Sequence, residues 1–324
     1  MRNLLLFVGL VFILAGCAGK EFYEPEDTLG DYENSKASLN GDIISMNKDG
    51  ATLDSGEIIT KRGVSKFKIP EGYHFLNISE DVVISSNYKD KVLLDKKEID
   101  VSGVVVAATL KDEKLALVLS NNSILLYDTS TDKILLKEYF NHSFVNDTRI
   151  ANPFFMSNII LFPTLDGKII VVSSANNRVL KNIVVDANGQ FNNIIFLNVI
   201  EDTLVAATAN KVISVGDGVL NLKDYNVRDI ISKDNNIYIA TIDGQIIKTD
   251  ISLNIINRKK YKYAKFYALA YGTSLYALES QGYLINIADD FKTDSIYDFD
   301  FDNKQKVIAL EDTIYYDDEY MILK

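Results

Sequence analysis

Two stretches of this chain, Thr164-Leu165-Asp166-Gly167-Lys168-Ile169-Ile170 and Thr241-Ile242-Asp243-Gly244-Gln245-Ile246-Ile247, are almost the same phrase, 77 residues apart. A looser copy, Thr208-Ala209-Asn210-Lys211-Val212-Ile213, lies between them, and others sit at Ser120-Asn121-Asn122 and Ser280-Gln281-Gly282. Each follows a short apolar run (Leu115 to Leu119, Ile159 to Phe162, Leu204 to Ala207, Ile237 to Ala240, Leu275 to Leu278) and precedes another. Asp-Gly or its stand-ins between two apolar runs marks a tight β-hairpin. The tips Asn122, Gly167, Asn210, Gly244 and Gly282 are separated by 45, 43, 34 and 38 residues. Weaker tips fall near Gly50, Asp90 and Asp318. A repeat of about 40 residues with four short strands per unit is the pattern of a β-propeller.

The unit from 227 to 261 shows the four strands most openly, at Asp229 to Ser232, Ile237 to Ala240, Gln245 to Thr249 and Leu253 to Asn257. Innermost strands are expected to start near 73, 103, 150, 191, 227, 264 and 306, which predicts an all-β fold of seven four-stranded blades. On this reading residues 41–70 close the ring by pairing with the last unit, because an open propeller would leave bare sheet edges. If 41–70 is a complete unit, the blades number eight.

The units resemble the repeats of quinoprotein-like (PQQ-like) propellers, whose loose pattern is apolar strand, small residue, Asp-Gly, apolar strand, Asp. The run from Ile237 to Asp250 fits it, as does the run from Leu115 to Asp128. The N-terminus carries a second resemblance. Arg2, the apolar run Leu4 to Leu14, and Leu14-Ala15-Gly16-Cys17 form a secretory signal with small residues before the cut and a cysteine directly after it. This is similar to the lipobox of bacterial lipoproteins, which implies cleavage before Cys17 and acylation of Cys17. The apolar run is about half of the ~20 residues a membrane-spanning helix needs. A lipoprotein signal joined to such a propeller is similar to the BamB-type accessory lipoproteins of outer-membrane β-barrel assembly. That likeness implies an envelope scaffold facing the periplasm. Ala18, rather than Asp, after the cysteine points by the same analogy to the outer membrane over the inner.

The expected organisation is a signal over 1–16, lipidated Cys17 with an acidic tether over 17–40, and a propeller over 41–324. The tether carries Glu21, Glu24, Glu26, Asp27, Asp31 and Glu33 and few core-forming residues. As flexible chain it would reach roughly 25 Å. Cys17 is the only cysteine, so there is no disulfide partner and stability must come from packing, which the 47% hydrophobic content allows. A formal net charge of −11 argues against nucleic-acid partners. It also argues against broad adsorption to an anionic membrane, leaving the lipid as anchor and envelope proteins as partners.

Candidate sites are few. Arg258-Lys259-Lys260-Tyr261-Lys262-Tyr263-Ala264-Lys265-Phe266-Tyr267 is the one dense basic-aromatic stretch. Tyr and Arg are favoured at binding surfaces. Arg258, Lys260, Tyr261, Lys262 and Tyr263 are therefore the candidate partner-binding residues, weighed against a plain strand with tyrosines packed and lysines solvated. Asp298, Asp300 and Asp302 have the spacing that opens a calcium loop, but Asn303 and Ala309 stand where Gly and Glu belong. An amphipathic strand, with Phe299 and Phe301 on its apolar face, is the expected reading. His74 and His142, the only histidines, lack metal-ligand spacing. No nucleophile elbow, phosphate loop or cofactor motif is present, so a non-enzymatic interaction module is expected. The alternative is a quinoprotein-like or glycan-active propeller that uses its axial funnel.

Overall fold

The computed structural model describes residues 21–324 except 35, 142, 144–148, 188–191 and 303. Cys17, the signal peptide and His142 lie outside the described residues. The described chain forms 32 β-strands in eight four-stranded antiparallel sheets, with no helix among them. The chain is an eight-bladed β-propeller. The second of the two predicted blade counts is the one adopted, because residues 43–68 form a complete blade. We number the blades from it. Blades 1 to 7 span 43–68, 74–100, 105–139, 154–184, 196–224, 227–260 and 266–298. Blade 8 takes Ile308–Leu310, Thr313–Tyr316 and Glu319–Ile322 from the C-terminus and its outermost strand, Lys36–Ser38, from the N-terminus. The N-terminal segment that closes the ring is therefore Lys36–Ser38, pairing Ala37 with Tyr320, and not 41–70.

The unit singled out above forms blade 6 with strands Val227–Lys233, Asn236–Thr241, Gln245–Asp250 and Ile255–Lys260. In every blade the second strand is buried almost throughout: Leu117, Ile160, Val205, Ile239 and Ala277 are fully covered. Both of its faces meet neighbouring blades, which is why these strands are continuous apolar runs and not alternating ones.

The recurring phrase has a physical cause. Thr241 Oγ1 accepts the Gln245 N–H at 2.9 Å and donates to Asp243. Thr164 repeats this with the Lys168 N–H and Asp166. The Gly244 carbonyl then accepts the Tyr261 N–H at 2.8 Å, where the chain leaves the fourth strand. Gly167 does the same for Val185, and Gly282 for Phe299. Gly244 and Gly167 have φ of +83° and +78°. A Cβ on Gly244 would lie 2.4 Å from the Tyr261 carbonyl oxygen, and one on Gly167 2.1 Å from that of Asp186. Positive φ and close backbone approach together demand glycine.

The segment expected as a free tether lies against the ring over its described residues. Tyr23 is buried, with edge-on ring contacts to Tyr261 and Tyr283 at 6.0 and 5.8 Å. Residues 29–32 run parallel along the outer edge of blade 7: Leu29 N–H donates to Ile296 O, and Asp298 N–H to Gly30 O. The segment thus borders the outer edge of blade 7 through an isolated parallel bridge between Asp31 and Asp298 before the chain enters blade 8.

Candidate functional site

In a propeller the axis is the usual place for a ligand, because the innermost strands converge there. Here it is crossed by protein. The blade 1 hairpin at Asn47–Asp49 bends into the channel. Asn47 holds it to blade 2 by donating to Phe75 O and Leu76 O at 2.8 and 3.0 Å, while its own oxygen accepts the Asp49 and Gly50 N–H groups. Lys48 reaches Asp229 of blade 6 at 2.5 Å. Asp49 accepts from Asn152, just before blade 4, and pairs with Lys61 of its own blade. The hairpin separates a chamber of about 470 Å³, lined by Asn77, Thr109, Asn198, Tyr271 and Glu311 among others, from one of about 540 Å³ beside Arg149, Arg228 and Tyr267. Lys48 borders both.

Around the channel runs a polar belt that links blade to blade. Asn77 Nδ2 donates to Ala108 O at 3.0 Å, and Asn152 Oδ1 accepts the Ala108 N–H at 2.9 Å. Asn198 Nδ2 donates to Ser232 Oγ, and Asp229 Oδ2 accepts the Leu269 N–H at 2.7 Å. In Asn77 and Asn198 the amide oxygen, and in Asp229 the other carboxylate oxygen, accepts the N–H of the next residue at 2.8 to 2.9 Å. These residues were not singled out from sequence. The available signal was a lone polar residue recurring inside apolar runs, as in Phe75-Leu76-Asn77-Ile78 and Phe196-Leu197-Asn198-Val199. Among the described residues no group of three or more His, Cys, Asp or Glu is arranged to hold a metal.

Asp298, Asp300 and Asp302 do not converge. The strand ends at Asp298, whose carboxylate accepts from Thr28 Oγ1 at 3.0 Å. Beyond it Phe299 and Phe301 pack against the core shared by blades 7 and 8 without a strand to carry them. His74 stacks on Tyr88 at 4.9 Å and sits 3.0 Å from Ser45 Oγ, and burial lowers its pKa.

The basic-aromatic stretch divides between three settings. Arg258 and Lys260 lie exposed on the outermost strand of blade 6, with Lys260 paired to Asp243 at 2.5 Å. That bond, with the Thr241 hydroxyl, holds the Asp243 carboxyl down at about 2. Tyr261 is buried under Tyr23 and Phe266. Lys262 and Tyr263 form an exposed turn, with the Lys262 ammonium 4.5 Å from the Tyr263 ring. Tyr263 has φ of +68° and does not continue the strand alternation expected of it. The chain's own acidic segment lies beside this stretch: Glu24, Glu26 and Asp27 share a groove with Lys259, Lys260 and Lys262. Burial, then Asp294 and Glu279, push the Tyr23 hydroxyl up to about 12, so it is neutral in its slot.

These features define an eight-bladed propeller with a bridged axis and a peptide strap on its rim. Comparison with known proteins finds a likeness in sequence and a likeness in fold. The chain is 27% identical to the plasminogen-binding protein PgbB of Helicobacter pylori in strains J99 and 26695, over 98% of this chain and 70% of theirs. No family model matches it. Among solved structures, BamB of Moraxella catarrhalis superposes with a TM-score of 0.69 at 13% identity, covering 90% of this chain and 98% of that one. The C-terminal WD40 domain of Sif2 gives 0.63 at 10% identity, over 88% and 96%. At such identities the structural likeness shows the fold alone.

Proposed function

We propose that the protein is a non-enzymatic, protein-binding scaffold of the bacterial envelope, anchored through a lipid on Cys17 and facing the periplasm of the outer membrane. The observation that carries this reading is the occupied axis. Lys48 pairs with Asp229 across the channel, while Asp49 pairs with Lys61 of its own blade and accepts from Asn152 on the far side, so these convergent charges are committed to holding the bridge in place. An enzyme would instead keep an acid, base or nucleophile facing an open pocket. The named binding activity of PgbB and the BamB-like propeller support a partner surface on the outside of the ring.

The test is direct binding. Purified protein, immobilised through its N-terminus, is presented with plasminogen and separately with β-barrel assembly components from the same envelope. Saturable capture of either supports the scaffold reading and says which partner class applies. Quinone-dependent oxidation or glycan cleavage by the purified protein would overturn it.

A further inference from the structure

The outermost strands of the eight blades differ in a way that the overall charge conceals. Among the described residues seventeen large apolar side chains are exposed, and ten of them lie on the outermost strands of blades 3 to 6. These strands are Lys133–Tyr139, Val179–Val184, Val219–Asp224 and Ile255–Lys260. None of the other seven falls on the outermost strand of a blade. Leu180, Leu220 and Ile134 are each more than half exposed. The same four strands hold seven Lys or Arg and two acidic residues, a net of +5 within the strands in a chain of net −11, with Lys259 and Lys260 at the blade 6 end paired to Asp294 and Asp243. Lys133, Lys181, Lys223 and Arg258 make no ion pair among the described residues. Apolar side chains interleaved with cations are the composition of a surface that enters the headgroup region of an anionic bilayer.

Two further observations give this band a direction. The strap docks Tyr23 beside Lys259, Lys260 and Lys262, at the end of the band. The six residues from Cys17 to Tyr23 span at most about 20 Å when extended, so whatever holds Cys17 in a membrane holds the rim of blades 6 and 7 near it. The hairpin tips around one mouth of the channel are acidic, with Glu80-Asp81, Glu201-Asp202 and Glu311-Asp312 joining the first and second strands of their blades. An anionic surface repels that mouth and attracts the rim.

We propose that the rim of blades 3 to 6 lies on an anionic lipid surface, so that the propeller stands edge-on to its membrane. The short leash rests on the Cys17 anchor proposed above, whereas the charge and apolar pattern of the rim stand apart from it.

The chain contains no tryptophan, so a single one reports its own surroundings. Full-length protein carrying Leu220→Trp, or Lys66→Trp on the opposite rim, is mixed with vesicles of phosphatidylcholine alone or with phosphatidylglycerol added. Flotation measures binding, and emission with brominated-lipid quenching measures insertion. The expected result is a blue-shifted, quenched Leu220→Trp signal on anionic vesicles and a water-like Lys66→Trp signal. Adding Lys181→Glu, Lys223→Glu and Arg258→Glu should abolish the insertion signal, because each cation is worth about fivefold in affinity for such a surface. Unchanged thermal unfolding of that variant shows it is folded. If the protein floats with both vesicles while Leu220→Trp stays water-exposed, the anchor stands and the rim proposal falls. If it fails to float with neutral vesicles while Leu220→Trp inserts into anionic ones, the rim proposal stands and the anchor falls. A Leu220→Trp signal shielded only after soluble envelope proteins are added would assign the band to a protein partner and overturn the proposal.

Discussion

The bridge across the axis gives the most direct test of how the ring is held. Asp229 is 7% exposed and accepts three hydrogen bonds: Ile230 N–H at 2.9 Å, Leu269 N–H at 2.7 Å and Lys48 Nζ at 2.5 Å. Asp229→Ala strands all three donors, one of them an ammonium whose side chain is only 23% exposed. Removing one partner of a buried pair costs about 3–5 kcal/mol, chiefly through the charge left behind. Lys48→Met leaves the carboxylate its two backbone donors, so its cost should be nearer 1–3 kcal/mol. In the double variant no ammonium remains to be stranded. Its loss should fall at least about 1 kcal/mol short of the sum of the singles, as expected of groups in direct contact. Urea unfolding of the four proteins at neutral pH supplies the cycle, with the slope checked for constancy. A loss below about 1 kcal/mol for Asp229→Ala, or strict additivity, would show that the bridge is solvated and that blades 1 and 6 do not depend on it.

Further outcomes follow from other contacts. Deleting 21–38 should lower the thermal midpoint and promote self-association on size-exclusion chromatography, because it bares the Glu319–Ile322 edge and the rim of blade 7; an unchanged midpoint would refute closure by Lys36–Ser38. Tyr23→Ala should free the strap without unfolding the ring, seen as faster amide exchange at Leu29 and Asp298 with exchange in blade 3 unchanged. Gly244→Ala should destabilise by more than about 1 kcal/mol, since positive φ and a 2.4 Å clash with backbone both oppose it, whereas Gly218→Ala has open space and should cost only the conformational term. His74 has a lowered pKa, so its contribution is present at and above the free imidazole value of 6.5 and is lost as pH falls below it. A His74→Gln variant should therefore show a flatter thermal midpoint between pH 8 and 5 than the parent.

The blade strands were readable because they repeat one physical problem. A strand buried on both faces must be apolar throughout, and a tip whose carbonyl receives the chain leaving the fourth strand must accept positive φ. Leu115 to Leu119 and Ile237 to Ala240 announced the first, and Gly167 and Gly244 the second. Blade 1 was harder. Its innermost strand, Ile43–Met46, is four residues long and breaks register at residue 44, so it carries little apolar signal. The candidate partner stretch was visible as composition, but its division into a strand, a buried Tyr261 and an exposed turn at Tyr263 was not. Alternation of Tyr and Lys predicts a strand equally well on either side of a turn.

What the sequence alone determined is local and periodic: all-β structure, the four-strand unit, the hairpin tips, and a core built from the second strand of each blade. What the tertiary structure decided concerns residues brought together from far apart. Lys36–Ser38 completes a blade with residues near 320. Tyr23 fills a slot between Tyr261 and Tyr283. Lys48 meets Asp229 across the axis, and four outer strands, each unremarkable alone, assemble into a band of one chemistry. None of these pairings leaves a periodic trace, because each depends on closing the ring. Hydrogen bonds and charges separated by hundreds of residues become neighbours only once the eight blades meet.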